Sequence, residues 1–267
     1  MTLRGASSEY AMAAREFLAA RRRAALTGAG ISVACGVPDF RSEDGLWSRF
    51  DPDRYATIEA FLSRPLESWQ FYRALGRMLW GKSPGAAHLA LAHLEEAGLL
   101  DGIVTQNIDG FHREAGTRQV FEIHGEFRHL QCLSCGSLEP SRPDQFESGQ
   151  APVCAGCGHF LKPNVVLFGE AVRLWDEVES LVSSCDALLV IGTSGSVFPV
   201  AGLPPRVRAA GGRLFEFNLE ATPLTSQCHF HFRGAVEETL PRFVRAVGAV
   251  HDSNRSGQSH SGSLRRI

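Results

Sequence analysis

The sequence predicts an α/β fold: a Rossmann-like parallel sheet with helices on both faces, plus a small zinc-binding module. Three observations predict it: short apolar runs alternate with helix-like stretches, the runs end in Gly, Asn or Ser, and one cysteine-rich segment interrupts the pattern. Apolar strands that alternate with helices are typical of parallel sheets covered on both faces. The 267 residues suffice for one large domain with a smaller insert.

Four apolar runs are predicted as strands of the sheet. Each is rich in Val, Ile, Leu, Ala or Phe, and the four are Arg23–Gly30, Asp101–Asp109, Cys185–Gly195 and Gly211–Asn218. Helical patterns over Pro84–Gly98 and Leu174–Ser184 lie between them, and an amphipathic helix precedes the first. Ligands of parallel sheets bind beyond the carboxyl ends of the strands, so the polar strand ends are candidate binding positions.

The pattern also predicts the division of the chain into domains. The Rossmann-like domain comprises residues 1–39, 83–127 and 164–248, and the zinc-ribbon module comprises residues 128–163. Residues 40–82 are predicted as a helical insert that completes the small domain. The polar, low-complexity residues 249–267 are predicted as a disordered tail.

Charge and hydropathy narrow the class of partner. The formal net charge of −2 provides no basic field, so no nucleic-acid partner is expected. No apolar run approaches the ~20 residues that a membrane-spanning helix needs, so no membrane partner is expected. The N-terminus lacks the charged-then-apolar order of a signal peptide, and we expect a cytoplasmic protein. Cysteines there are mostly reduced, so paired cysteines indicate metal or redox chemistry.

Two close cysteine pairs predict one structural zinc ion. Cys132 and Cys135 are followed, after 18 residues, by Cys154 and Cys157. This spacing fits a tetrahedral site of four thiolates, with two redox dithiols as the alternative. Four protein ligands close the site, so His124, which precedes it, is not expected to bind the zinc. The remaining cysteines are predicted to be buried small hydrophobic residues: Cys35, Cys185 and Cys228.

Two loops near the N-terminus are candidates for ligand binding. The segment "LTGAGIS" (Leu26–Ser32) is a glycine turn after a strand, suited to cradling a phosphate. The usual dinucleotide-binding fingerprint has a third small residue at the position of Val33. A simple tight turn without a ligand therefore remains an alternative to a phosphate-binding loop. In "GVPDFRS", Asp39, Phe40 and Arg41 could fold over a ligand; the alternative is a Pro-Asp turn with an exposed arginine.

Three further strand ends carry hydrogen-bonding residues. In "TQNID", Asn107 and Asp109 could orient a sugar or a ring amide, although either could instead cap the following helix. Small polar residues follow at "IGTSG" (Ile191–Gly195), suited to a phosphate or ribose. Asn218 ends another strand, with Glu220 two residues further on, and these could hold an adenosine ribose.

The order of these motifs resembles one enzyme family. "GAGIS", "GVPDFRS", "TQNID", "HG" at 124–125, the two CxxC pairs, "KPNVVLFGE" and "GTS" occur in the order seen in sirtuins, the NAD-dependent protein-lysine deacylases. The resemblance covers roughly residues 10–247. It implies an NAD-binding Rossmann-like domain, a small zinc module, and an acyl-lysine peptide or protein bound in the cleft between them.

The resemblance also implies roles for individual residues. NAD contacts near the pyrophosphate and nicotinamide ribose would come from Ala29, Gly30, Asp39, Phe40 and Arg41. Those around the nicotinamide pocket would come from Gln106, Asn107 and Asp109, and those to the adenosine half from Gly192, Thr193, Ser194, Asn218 and Ala235. Further predicted NAD contacts are Gly28, Trp47, Ile108 and Glu220. The substrate side would comprise Tyr72, Val166, Phe168 and Gly169, where the backbone of "VVLFGE" (residues 165–170) pairs with the peptide as an added strand.

The resemblance assigns the chemistry to His124, with Asn107 as a second catalytic residue. In sirtuins the acyl oxygen attacks C1′ of the nicotinamide ribose, nicotinamide leaves, and a histidine acts as general base for a ribose hydroxyl. The products are free lysine, nicotinamide and O-acyl-ADP-ribose. Alternatives are a protein mono-ADP-ribosyltransferase, a zinc-ribbon nucleic-acid-binding protein and an NAD(P) oxidoreductase.

The acyl preference is predicted from one departure from a sirtuin subclass. Sirtuins that prefer acidic acyl groups resemble this chain at Ala56 and Tyr72, but carry arginine where Leu75 stands here. On a helix, position i+3 lies ~60° from Tyr72, whereas Arg73 and Arg77 lie ~100° and ~140° away. A buried succinyl carboxylate without a cation is costly. We therefore expect deacetylation with weak desuccinylation; desuccinylation or longer-chain deacylation, and simple core packing of this helix, are the alternatives.

Overall fold

The computed structural model describes residues 3–39 and 45–261. The predicted NAD contacts Phe40 and Arg41 lie outside these residues. The helices are α1 Leu3–Ala19, α2 Pro52–Tyr55, α3 Ile58–Ser63, α4 Pro65–Leu79, α5 Ala86–Glu96, α6 Phe111–Glu114, α7 Pro143–Glu147, α8 Trp175–Ser183, α9 Leu203–Ala209 and α10 Val236–Ser261. The strands are β1 Arg23–Thr27, β2 Gly102–Thr105, β3 Val120–Glu122, β4 Gly125–Cys132, β5 Leu138–Pro140, β6 Leu161–Val165, β7 Ala187–Ile191, β8 Arg213–Asn218 and β9 Phe230–Arg233.

Six parallel strands form the main sheet, in the order β3-β2-β1-β7-β8-β9. The four predicted strands are its centre, and the predicted Rossmann-like fold is confirmed. The chain moves outward through β2 and β3 on one side of β1, and through β8 and β9 on the other side of β7. The order therefore reverses between β1 and β7, and the crevice beyond their carboxyl ends is where such sheets bind ligands.

Helices cover both faces of this sheet. On one face, residues of α1, α5 and α10 such as Phe17, Leu91 and Phe243 form a core with the strands. On the other face, residues of α8 and α9 such as Val178 and Val207 do the same. The strands are apolar on both sides because both sides are buried, as the continuous apolar runs predict.

The small domain combines the helical insert with the cysteine-rich module. Strands β5, β4 and β6 form a three-stranded antiparallel sheet that packs against α4 and α7. One hydrophobic core contains Trp69 from the insert together with Leu130 and Phe146 from the module. The indole N–H of Trp69 donates to the Leu161 carbonyl at 2.8 Å, which ties α4 to β6.

The C-terminal segment differs from the prediction. Residues 249–261 continue helix α10, whereas they were predicted as disordered, and residues 262–267 lie outside the described part of the chain. The apolar stripe of α10 packs against the core through Val244, Val247 and Val250, which accounts for the helix as far as residue 250. None of the described helices is both long enough and apolar enough to cross a membrane.

Candidate active site

Glycines let two loops meet in the crevice between β1 and β7. The Gly28 N–H donates to the Ile191 carbonyl at 3.0 Å, and the Gly30 N–H donates to the Gly192 carbonyl at 2.8 Å. A Cβ atom on Gly30 would lie 2.7 Å from the Gly192 Cα, closer than real side chains come. Gly192 itself has φ +56°, in the left-handed region. The glycines of "GAGIS" and "GTS" are therefore required by the same close approach.

A buried polar cluster lies beyond β1 and β2. The Ser32 hydroxyl donates to Asp109 Oδ2 at 2.8 Å, and the Asn107 side-chain amide donates to Ser32 Oγ and to the Gly28 carbonyl, both at 3.2 Å. Asp109 Oδ1 accepts from the Phe111 N–H at 2.9 Å, so Asp109 also caps the following helix. Burial raises the pKa of the Asp109 carboxyl. The capping alternative therefore describes Oδ1, whereas Oδ2 accepts from Ser32, and a contact between Asp109 and NAD stays a prediction.

The next strand ends are linked in the same way. The Gln106 side-chain amide donates to Thr193 Oγ1 at 2.9 Å, and that of Asn218 donates to the Thr193 carbonyl at 2.9 Å. The Gly234 N–H donates to the Asn218 carbonyl at 3.0 Å, which places Ala235 and the first turn of α10 beside β8. The ends of β2, β7 and β8 thus form one polar rim.

Other residues predicted to contact NAD lie either beyond the ends of β7 and β8 or at the start of the small domain. Ser194 shares a hydrogen bond with Ser196, while Glu220 is exposed beyond β8. The Asp39 carbonyl accepts from the Leu46 N–H at 3.1 Å and holds the start of the small domain near the crevice. Trp47 lies on the small-domain side, with its ring 5.3 Å from Phe71.

His124 lies in the turn between β3 and β4, at the junction of the two domains. Its Nδ1 is 2.9 Å from the Gln106 carbonyl, an oxygen that can only accept, so Nδ1 carries the proton and Nε2 is the basic nitrogen. The Val166 N–H donates to the His124 carbonyl at 2.7 Å. One residue therefore contacts both the end of β2 and the segment predicted to bind the peptide.

The segment 166–169 is anchored to the small domain through Phe168. Its N–H donates to the Ala56 carbonyl and its carbonyl accepts from the Ile58 N–H, both at 3.0 Å. The Phe168 side chain is 47% exposed and its ring lies 6.1 Å from that of Trp47. Gly169 follows with φ +92°, which turns the chain away from the cleft.

An apolar cavity lies between the polar cluster and helix α4. Ala29, Ser32, Asn107, Ile108 and Asp109 line it on the side of the strand ends, and Val37, Pro38, Leu46 and the α4 residues Leu75, Met78 and Leu79 line it on the opposite side. Among the described residues, no lysine or arginine lines it. Arg73 donates instead to the Gly149 carbonyl at 2.9 Å, and Arg77 is exposed.

Tyr72 does not line this cavity. It is fully buried among aromatic rings, with those of Trp69 and Phe71 at 5.5 and 5.7 Å. Within the described residues its buried hydroxyl has no hydrogen-bond partner, and burial raises its pKa. Core packing, the alternative considered for this helix, describes Tyr72, whereas Leu75 faces the cavity.

The four paired cysteines converge, as predicted for a zinc site. The Sγ atoms of Cys132 and Cys157 are 3.4 Å apart, those of Cys135 and Cys154 are 3.6 Å apart, and all four lie within 4.8 Å of one another. Zinc with Zn–S bonds of about 2.3 Å holds tetrahedral sulfurs about 3.8 Å apart, so the cluster fits the ion. The four thiolates would bind the zinc ion and thereby connect the end of β4 to the loop before β6.

Sequence reasoning missed several buried residues beneath the site. The Thr27 hydroxyl lies 2.9 Å from Thr105 Oγ1 and 2.9 Å from His112 Nε2. The His88 Nε2 atom lies 3.4 Å from Ser32 Oγ. Burial lowers the pKa of His88 to about 4, so its ring is neutral. The pattern alone gave no signal for these contacts, which join segments distant in sequence.

Comparison with known proteins decides the family. The model of the Sir2 family matches residues 28–199. This chain belongs to the Sir2 family. It is 40% identical over 240 residues to the NAD-dependent protein deacylase of Pyrococcus abyssi, covering 88% of this chain and 96% of the relative. It is 39% identical over 240 residues to the NAD-dependent protein deacetylase of Saccharolobus solfataricus, covering 89% and 97%.

The fold agrees with solved structures of the family. A Sir2 homologue in complex with NAD superposes with a TM-score of 0.82 at 36% identity, over 90% of this chain and 94% of the homologue. The sequence-based prediction of a sirtuin with a Rossmann-like sheet and a zinc module is confirmed.

Proposed function

We propose that this Sir2-family chain removes neutral acyl groups, acetyl foremost, from lysine side chains of proteins. The enzyme class is NAD-dependent protein deacylase, with NAD as co-substrate and one structural zinc, as its relatives indicate. The observation that carries the proposal is the position of His124, hydrogen-bonded to Gln106 on the nucleotide side and to Val166 on the peptide side.

His124 is the proposed general base. Its Nδ1 proton is directed at the Gln106 carbonyl, which fixes the ring and leaves Nε2 to accept a proton from a ribose hydroxyl. An imidazole base is suited to neutral pH. The histidine receives the proton, and NAD supplies the ADP-ribose that accepts the acyl group.

Asn107 and Asp109 are proposed to orient the nicotinamide ribose. Ser32 hydrogen-bonds to both side chains, so their rotamers are set before a ligand arrives. Asn107 is only 7% exposed and also donates to the Gly28 carbonyl, so it couples the glycine loop to the end of β2.

The peptide is proposed to bind along residues 166–169. Because Phe168 already uses its N–H and carbonyl on residues 56–58, its own contribution is the exposed ring. The backbone groups for an added strand would come from its neighbours in the segment, including the Val166 carbonyl and the Gly169 backbone, since the Val166 N–H already donates to His124.

The acyl preference is proposed from Leu75 on helix α4, which stands where sirtuins that prefer acidic acyl groups carry arginine. Leu75 lines the cavity that also borders Asn107 and Asp109, the residues proposed to orient the nicotinamide ribose, and no cation among the described residues lines it. Burying a methyl or alkyl group there is favourable in free energy. Burying a carboxylate is unfavourable, because it loses its hydration and finds no cation to replace the water. We therefore expect acetyl-lysine to be preferred over succinyl-lysine.

Product analysis by mass spectrometry tests this function. The purified protein would be incubated with NAD and either an acetyl-lysine or a succinyl-lysine peptide, beside a His124→Ala variant. We expect nicotinamide, free lysine and O-acetyl-ADP-ribose from the acetyl peptide, slower succinyl turnover, and a loss of about 10²–10⁴-fold in the variant.

Other outcomes would contradict parts of the proposal. ADP-ribose retained on protein would indicate a mono-ADP-ribosyltransferase instead. Full activity in His124→Ala would remove the histidine from its assigned role. Equal rates on acetyl and succinyl peptides would overturn the acyl preference and leave the enzyme class intact.

A further inference from the structure

A second cluster of potential metal ligands lies behind the glycine loop. It contains Cys35, His88 and Glu237, whose ligand atoms all lie within 4.8 Å of one another. Cys35 ends a short 3-10 turn after the loop, His88 is in the first turn of α5, and Glu237 is in the first turn of α10. Three distant segments thus bring a thiol, an imidazole and a carboxylate to one point.

The distances between these groups suit a metal ion. The Cys35 Sγ and the His88 Nδ1 are 4.0 Å apart. Zinc–sulfur and zinc–nitrogen bonds of about 2.3 and 2.0 Å at a tetrahedral angle place the two ligand atoms about 3.5 Å apart. A shift of about half an ångström, well within side-chain motion, would close the gap.

The carboxylate offers an oxygen that the protein leaves unsatisfied. Glu237 Oε2 accepts from the Ala87 N–H at 3.0 Å and caps helix α5. Glu237 Oε1 is buried and, within the described residues, has no hydrogen-bond partner. A buried acceptor without a partner costs free energy, and a cation at this point would satisfy it.

The histidine has the second contact that metal-binding imidazoles need. Its Nδ1 faces Cys35, and its Nε2 lies 3.4 Å from Ser32 Oγ. A metal on Nδ1 requires the proton on Nε2, and that proton would point at the serine oxygen. The Gly85 N–H, 3.3 Å from Nδ1, is the group that the metal would replace.

We propose that Cys35, His88 and Glu237 form a second metal site, separate from the four-cysteine cluster, for a divalent transition ion of zinc type. One sulfur, one nitrogen and one oxygen ligand are typical of Zn²⁺ and Co²⁺ rather than Mg²⁺ or Ca²⁺. Binding converts the Cys35 thiol to a metal-bound thiolate and releases one proton to solvent. Three protein ligands leave a fourth position for water.

The site would tie the nucleotide loop to two helices. Cys35 stands three residues after Ser32, which holds Asp109 and Asn107. An ion there would join this loop to the beginnings of α5 and α10, so it should raise the thermal stability of the folded chain.

Cobalt uptake by the zinc-loaded full chain tests the proposal. Co²⁺ would be titrated into protein whose four-cysteine site holds zinc, with zinc retention measured by atomic emission. We expect one Co²⁺ per chain, a thiolate-to-cobalt charge-transfer band, and a rise in Tm. Cys35→Ser should abolish the band and Glu237→Gln should weaken binding at least tenfold, whereas Cys228→Ser is the matched control and should bind as the wild type does.

A second measurement keeps the test valid if a variant folds poorly. In the wild-type protein, excess Zn²⁺ should protect Cys35 from alkylation, as read by peptide mass spectrometry, while leaving Cys228 unaffected. No cobalt uptake beyond the zinc site, or equal uptake by the Cys35→Ser and Cys228→Ser variants, would overturn the proposal. Alkylation of Cys35 at the same rate with and without Zn²⁺ would do so as well.

Discussion

The two walls of the cleft are built on different principles. On the Rossmann side, polar groups meet polar groups: Ser32, Asn107 and Asp109 hydrogen-bond to one another, and Gln106 bonds to Thr193. On the small-domain side, α4 presents hydrocarbon, and the hydroxyl of Tyr72 is buried without a partner among the described residues.

We propose that the polar wall carries out the chemistry and that the apolar wall selects the acyl group. Directed hydrogen bonds hold a ligand in one orientation. The residues that make them tolerate few substitutions, because each lost partner leaves a buried polar group unsatisfied. An apolar wall selects by size and by the cost of burying charge, and one side chain can change that. We therefore expect changes on the Rossmann wall to affect catalysis for every acyl group, and changes on α4 to affect the choice of acyl group.

Loss of the zinc site should have the largest effect, because it removes the frame of the small-domain wall. Cys154→Ser takes one thiolate from the cluster at the end of β4. We expect the metal content to fall by one zinc per chain and the small domain to lose its fold, with activity lost on all acyl groups. Metal analysis and circular dichroism would check this. Cys185→Ser, far from the cluster, is the control, and a folded, active Cys154→Ser protein would contradict the prediction.

The polar cluster of the Rossmann wall gives the next largest effect. Ser32→Ala removes the hydroxyl that donates to Asp109 and accepts from Asn107. A hydrogen bond to a charged group is worth about 1.5–3 kcal/mol, so we expect kcat/KM for NAD to fall about 10- to 100-fold. Steady-state kinetics with acetyl and succinyl peptides should show the same factor for both. If the decrease in kcat/KM differed between the acetyl and succinyl peptides, the proposal that the two walls have separate roles would be contradicted.

Tyr72→Phe should have the smallest effect and tests whether the tyrosine belongs to the core. Removing a hydroxyl that has no partner among the described residues should leave the free energy of unfolding unchanged or raised by up to about 1 kcal/mol. Denaturant unfolding and acetyl-peptide kinetics would measure both quantities. If kcat/KM falls tenfold or more while stability holds, the hydroxyl contacts the substrate after all.

Much of the Rossmann wall could be predicted from the sequence because its signals are local. The strand β1 and its glycine turn, and the strand β2 and its "TQNID" end, each combine an apolar run with residues of special conformation or hydrogen-bonding capacity. Short edge strands were missed. Strand β3 has only three residues, and the four residues of β9 alternate between Phe and charged or polar residues, so neither forms a continuous apolar run.

The remainder depends on contacts between distant segments. The cluster of Cys35, His88 and Glu237 joins residues up to 202 positions apart (237 − 35), and each has an ordinary interpretation in its own helix or turn. Tyr72 and Leu75 share a helix face in sequence, yet one faces the core and the other the cavity. Such outcomes depend on how helices pack, which no local pattern encodes.

The most direct test of whether the two walls have separate roles is a measurement on the Leu75→Arg variant. The quantity to measure is the ratio of kcat/KM for a succinyl-lysine peptide to kcat/KM for an acetyl-lysine peptide. The new guanidinium would place a cation on the cavity wall, so the account predicts a ratio raised at least tenfold over the wild type, with NAD kinetics nearly unchanged. Leu75→Met, similar in volume and uncharged, should leave the ratio within about twofold. A wild-type enzyme that already removes succinyl as fast as acetyl, or a ratio that Leu75→Arg does not raise, would contradict the account.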